Sequence, residues 1–428
     1  MTRSLATVAV LLAVAGCGGG AAAATPAAAV PGAATDVRAL AAQMEATHPD
    51  LYATVPRGRF QAVVEDVASR ADRLEANELL VELMRIAALP GVGNGHGGIF
   101  PGDPAHTRQL HLYPLRLYTF PEGTYVVDER AQGDLTGAQL LAVEGTSWNE
   151  IARRVEPLVP RDNDLSLRGL LPHYALTAEV LDGLGLVNGV AQAQFTFRMP
   201  DGRETTVPLM PLSARRYTTE FADPHHGHYP ASLPWRSKPM YQATSRRQIW
   251  LARFGNGRVV YVGYNTIFAP PFDVAGIADR VVALARQPKT ERVIVDLRLN
   301  GGGDNTKYGT LLQALQHPRV NRRGRLYVLI GRATFSAAAN LAADIDRFTR
   351  ARFVGEPTGG GVKIYGETLP FLLPVTGLNA RISYRYWDFG KGPNDRRLAI
   401  APDVAVSLTA RDYFAMRDPV LAAALAAP

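Results

Sequence analysis

Cysteine is all but missing from this sequence. Its 428 residues contain one, Cys17, and none after it. A disulfide within one chain is therefore impossible, and a cysteine nucleophile or cysteine-bound metal in the folded part is excluded. A membrane-spanning run is missing from the N-terminal region too, since Leu5 to Val14 is apolar but too short to cross a bilayer. Charge is not concentrated. Lys and Arg number 46 against 39 Asp and Glu, for a net +7, and the basic residues form only short pairs such as Arg246-Arg247 and Arg396-Arg397. No basic run is interleaved with aromatics, so nucleic acid is not an expected partner. There is no G-x-S-x-G elbow, and the glycine-rich stretch around His96 lacks the lysine and strand–helix framing of a P-loop. What is present is 47% apolar and 20% charged residues, enough for a globular chain of two or three domains.

Residues 1–16 place Arg3 before the apolar run, as a signal peptide does. The run ends Leu12-Ala13-Val14-Ala15-Gly16-Cys17, which resembles a bacterial lipoprotein cleavage box. That resemblance implies a thioether-linked diacylglycerol on Cys17, cleavage before it and acylation of the new amine, so the membrane is an expected partner. The other reading is a cleaved secretory peptide with an incidental cysteine. Residues 17–35 are rich in Gly, Ala, Pro and Thr and carry no charge, which predicts a flexible tether. The expected location is the bacterial cell envelope, at the periplasmic face of the outer membrane or the cell surface.

Residues 36–100 read as a helical region. Apolar residues recur at three- and four-residue spacing through Leu89, Asn77 is the expected N-cap of the third helix, and Pro90 ends it. His96 follows, in the loop GVGNGHGG. Five glycines in eight residues let the backbone carry the ring close to another element, and such loops often hold function. Residues 101–212 alternate as strands, and LTGAQLLAVEGTSWNEI within them resembles a PDZ-like domain. A hairpin is expected to turn at Pro200-Asp201-Gly202. Residues 213–245 read as a connecting loop. Its His225, His226 and His228 have only Asp223 as a nearby carboxylate, so an exposed loop is expected rather than a metal site.

Residues 246–428 switch to strand–helix alternation, the mark of α/β layering. RVIVDLRL is nearly all apolar, as a strand buried on both faces should be, and runs into Gly301-Gly302-Gly303. LYVLIG runs into ATFSAA, where Ser336 opens a helix. A serine there is ordinarily an N-cap. Beside a glycine turn with bare N–H groups, and with the helix dipole behind it, it is also a candidate acyl-transfer nucleophile.

DLRLNGGG, TFSAA, VGEPTGG and PDV, in this order, resemble the C-terminal processing and tricorn-like serine peptidases. The resemblance covers roughly residues 40–428 and implies an α/β, overall α+β, architecture. It comprises a crotonase-like αββ core, an N-terminal helical region and a PDZ-like β domain. It implies a peptidase acting on a polypeptide or peptide substrate, with no cofactor and no metal. Ser336 would be the nucleophile, with Gly302 and Ala337 donating the oxyanion N–H groups, each typically worth ~3 kcal/mol to the transition state. His96 would be the base and Asp395 the acid that holds it, with Glu356 and Glu367 as fallback acids. Lys363 offers a Ser–Lys dyad instead, although it lies two residues beyond the position that branch of the family uses. Asp395 stands where tricorn-like members have glutamate, and Gly95 where they have serine before the histidine. A non-catalytic binding protein on the same scaffold is therefore a second reading, and an acyl-CoA enzyme of the crotonase type a poor third for an exported chain.

Overall fold

The computed structural model describes residues 29–130, 134–221, 238–244, 247–268 and 273–428. Cys17, most of the expected tether and the cluster of His225, His226 and His228 lie outside these residues. The tether is shorter than expected at its C-terminal end, because a helix already begins at Ala33. Among the described residues no helix is long and apolar enough to cross a membrane, and no cluster of His, Cys, Asp and Glu could hold a metal ion.

The C-terminal half is built on a six-stranded sheet. In spatial order its strands are Val404–Ala405, Arg352–Gly355, Leu326–Ile330, Arg292–Asp296, Val259–Tyr264 and Ile249–Phe254. All neighbouring pairs are parallel except the last. The apolar runs explain why. Val293 and Val295 face one layer, which includes Leu341 and Ile345 of the Ala337–Phe348 helix. Ile294 between them faces the other layer, with Val420 and Ala424 of the C-terminal helix. Each such side chain, fully buried, contributes about 1.5–3 kcal/mol, and a strand that is apolar on both faces has no solvent face to occupy.

In the N-terminal half the helices Ala33–Thr47, Arg57–Arg70 and Ala76–Ala88 pack beside an antiparallel sheet. That sheet orders Leu115–Phe120, Gly123–Glu129, Gln139–Val143, Ala193–Arg198 and Glu204–Leu209. Asn77 is not the cap of the third helix. It lies inside the first turn, buried, where its amide donates to Asp182 at 2.7 Å, while the Glu78 carboxylate accepts the Glu75 N–H at 2.9 Å.

A long hairpin, Lys363–Leu372 with Asn379–Asp388, joins the halves. It leaves the C-terminal half, yet buries Leu373, Leu378, Ala380 and Ile382 in the N-terminal core. Its tip is held by buried Asp36, which accepts from the Val375 and Thr376 N–H groups at 2.9 and 2.8 Å and from the Thr376 hydroxyl at 2.6 Å. This strap sets where the His96 loop meets the parallel sheet.

Candidate active site

Ser336 ends the turn between the Leu326–Ile330 strand and the Ala337–Phe348 helix. Its backbone sits at φ 52°, ψ −130°, a region that a non-glycine residue occupies only under constraint, at about 1–3 kcal/mol. Its side chain makes no capping hydrogen bond. The ordinary role of a helix-start serine is therefore not the one it plays, and the hydroxyl is left at the mouth of a cavity.

The turn is over-determined by its neighbours. The Thr334 hydroxyl donates to the Leu297 carbonyl at 2.8 Å and accepts from the Gly331 N–H at 3.1 Å. Asn300, fully buried, does more. Its amide donates to the Tyr264 carbonyl at 2.8 Å, its side-chain oxygen accepts the Gly302 N–H at 2.9 Å, and its own carbonyl accepts the Phe335 N–H at 3.1 Å. One residue, through its side chain and its carbonyl, thus locks the glycine turn to the serine turn. A Cβ on Gly302, where φ is 107°, would lie 2.6 Å from the Ser336 Cβ, so only glycine fits.

Because Asn300 takes up the Gly302 N–H, Gly302 cannot serve as the expected oxyanion donor in this geometry. Gly303 lines the cavity of about 170 Å³ that contains Ser336. Among the described residues its N–H has no acceptor, and neither has that of Ala337. Two donors remain, Ala337 at the helix start as expected and Gly303 in place of Gly302 at the glycine turn.

His96 lines the same cavity. Its ring stacks on Phe335 with centroids 4.5 Å apart and an interplanar angle of 23°. The loop is bound on both sides. Gly98 and Arg381 exchange N–H···O bonds at 2.8 Å, and Tyr365 N–H donates to Gly93 at 2.8 Å. On the other side Gly93 and Asn94 donate to the backbone at Asp162 and Arg161, and Gly95 N–H donates to the Asp162 carboxylate at 2.7 Å. A Cβ on Gly95 would meet that carboxylate at 2.9 Å, which explains the glycine where a serine was expected. Burial pushes the His96 imidazole down to about 4, so it is neutral near pH 7. Among the described residues its buried Nδ1 has no hydrogen-bond partner, and no hydrogen bond joins the ring to Ser336.

Asp395 does not hold His96. It is clamped by Arg397 at 2.7 Å and accepts the Lys391 N–H at 3.0 Å, while Arg397 and Lys391 both reach Asp346 on the 337–348 helix. The Arg397 hydrogen bond holds the Asp395 carboxyl well below the usual carboxylate range. Its chemistry is that of a loop fastener, because a guanidinium one residue beyond its neighbour satisfies it locally. Glu356 is likewise spent on Arg332 at 3.1 Å. Lys363 is tied to Asp388 at 3.2 Å and to the Pro393 carbonyl at 3.0 Å, and does not line the Ser336 cavity. Glu367, at φ 50° in the hairpin, is the carboxylate that does line it.

Asn300 and Asp162 escaped sequence reasoning. Asn300 sits in the quoted DLRLNGGG, where an asparagine before glycines signals a turn and could have been read as a clamp. For Asp162 nothing local pointed to the His96 loop.

No protein-family model and no curated protein matches the sequence. Solved structures do match. A CPAF mutant with serine replaced by alanine aligns over 92% of this chain and 98% of its own, at 13% identity and a TM-score of 0.62. Mature CPAF complexed with lactacystin aligns over 90% and 95%, at 14% identity and 0.59, and mature CPAF alone over 90% and 94%, at 14% and 0.56. With nearly the whole of both chains superposed, this protein has the mixed α/β fold of CPAF.

Proposed function

We propose that the protein is a serine peptidase of the C-terminal processing and tricorn-like type, acting on polypeptides through an acyl-enzyme at Ser336. The observation that carries this reading is the strained Ser336 backbone, with a hydroxyl not used as a cap, facing the same cavity as a neutral histidine. Strain is retained where the surroundings impose it, and here Thr334, Asn300 and Gly302 do so.

In the proposed reaction the Ser336 oxygen attacks the scissile carbonyl carbon while the neutral His96 ring accepts its proton. The negative oxygen meets the N–H groups of Gly303 and Ala337 at the helix start. Collapse passes the proton from His96 to the leaving amine, and water, activated by the same ring, then cleaves the ester. Glu367 is the carboxylate best placed to steady the imidazolium. The strands of residues 101–212, read as PDZ-like, would present the substrate by strand addition. An N-terminal lipid on Cys17 would hold the protein at the envelope, an assignment that rests on its sequence context alone.

The second reading, a peptide-binding protein without turnover, is favoured by the partnerless Nδ1 of His96. Incubation with an unfolded protein substrate separates the two. The peptidase reading expects fragments from the natural sequence and none from Ser336→Ala. Binding without fragments from either would establish the second.

A further inference from the structure

A second cavity, of about 480 Å³, adjoins the Ser336 cavity. His96 and Thr368 line both. Its walls include Phe100, Leu117, Leu170, Pro172 and Phe335, the last being the residue before Ser336. Such a space, largely apolar and touching the proposed nucleophile's turn, has ample room for a bulky apolar side chain. Three arginines reach it: Arg168, Arg332 and Arg381. Two are already matched. Arg332 pairs with Glu356 at 3.1 Å and donates to the Thr119 carbonyl at 2.6 Å, and Arg381 pairs with Asp103 at 2.7 Å. Arg168 is exposed on the Asp164–Ala175 helix and has no hydrogen bond or ion pair among the described residues. The cavity therefore offers an apolar interior and one uncommitted cation.

We propose that this cavity is a specificity subsite for a bulky apolar residue of the substrate, aromatic or leucine-sized, and that Arg168 selects a carboxylate on the adjacent residue. The proposal deepens the peptidase reading by naming a substrate class, and rests on it only for the consequence in cleavage. The binding itself depends on the walls and on Arg168. An acidic-apolar pair complements the site twice, since the ring removes apolar surface from water and the carboxylate meets a charge that no group among the described residues neutralises. An aliphatic side chain without the acid satisfies only the first.

The test uses the full-length Ser336→Ala protein, which cannot turn over by the proposed route, and short peptides blocked at both ends. Calorimetry compares a peptide containing Glu-Phe with its Gln-Phe and Glu-Ala counterparts. The expected result is binding of Glu-Phe at least ~10-fold tighter than Glu-Ala, from burial of the ring. It should also bind about threefold tighter than Gln-Phe, the scale of an exposed charge pair. A second substitution, Arg168→Glu, should reverse the Glu/Gln preference and leave the Phe/Ala preference. Leu170→Trp, which narrows the cavity, should weaken the Phe/Ala preference and leave the charge preference. Equal affinity for all three peptides, or preferences untouched by Arg168→Glu and Leu170→Trp, would overturn the proposal. If the preferences hold while the natural sequence cuts no peptide, the subsite stands and the peptidase reading falls. If cutting occurs without the preferences, the reverse is true.

Discussion

At the scale of single residues, the site is set by groups that never touch substrate. Asn300 spends its side chain and its carbonyl on fastening two turns together. The consequence for Gly302 is steric. Gly302→Ala should lower the melting temperature, through strain at φ 107°, and also reduce acylation of Ser336 by about 100-fold in the protein that remains folded, because the added methyl displaces the Ser336 Cβ by more than the geometry tolerates. Comparing acylation rates with thermal melts checks this. His96 and Asp162, which holds the His96 loop, predict two different pH effects. For His96, burial lowers the folded pKa to about 4 from an ordinary 6.5, so the ring remains an acceptor down to mildly acid pH. The acid limb of the acylation profile should therefore lie near 4 rather than near 6.5. Asp162 is buried with one carboxylate oxygen unpaired, and burial pushes it up to about 7. Because its folded pKa is raised, the stability it contributes is complete below its unfolded pKa and is lost as pH rises through about 7. Asp162→Asn keeps an acceptor for the Gly95 N–H and carries no charge. Its melting temperature relative to the natural protein should rise between pH 4 and pH 8, and a fall over that range would contradict the assignment.

At the scale of elements, much of the core could be read in advance, since strands such as Arg292–Asp296 are apolar on both faces and their glycine and serine turns fall between strand and helix. The Lys363–Leu372 and Asn379–Asp388 hairpin could not. Gly366, Glu367 and Pro370 interrupt its alternation, and its buried residues are shared between two cores that only the tertiary fold brings together. The misassignment of Asp395 has the same origin. A carboxylate in the right interval of sequence was taken locally by Arg397, whereas Glu367 reaches the cavity because the hairpin carries it there. Substitution separates them. Asp395→Ala removes a partly exposed clamp and should cost about 1 kcal/mol of stability while changing acylation less than about threefold. Glu367→Gln should spare stability and slow acylation by about tenfold or more, the scale of a lost charge beside an imidazolium. Equal rate effects from the two would return the acid role to the 390–397 loop.

At the scale of the whole molecule, activity depends on closure. The nucleophile and the donors belong to the parallel sheet, the base to a loop of the N-terminal half, and the hairpin pins that loop to its place through Gly98 and Arg381. Asp36, more than 300 residues before the hairpin tip it holds, is part of that closure. Asp36→Ala strands two backbone N–H groups and a hydroxyl, which should cost about 2–3 kcal/mol. The loss should appear first as faster hydrogen exchange at residues 373–378 and at the His96 loop, before the parallel sheet is affected.

The central claim is that a strained serine and a histidine from opposite halves of the chain form one acylation site. Labelling with a fluorophosphonate, read by mass spectrometry, tests it most directly. A single adduct on Ser336, forming at least ~100-fold more slowly in His96→Ala and not at all in Ser336→Ala, is the expected result. No adduct between pH 5 and 9, or an adduct on Ser336 whose rate is unchanged in His96→Ala, would contradict it.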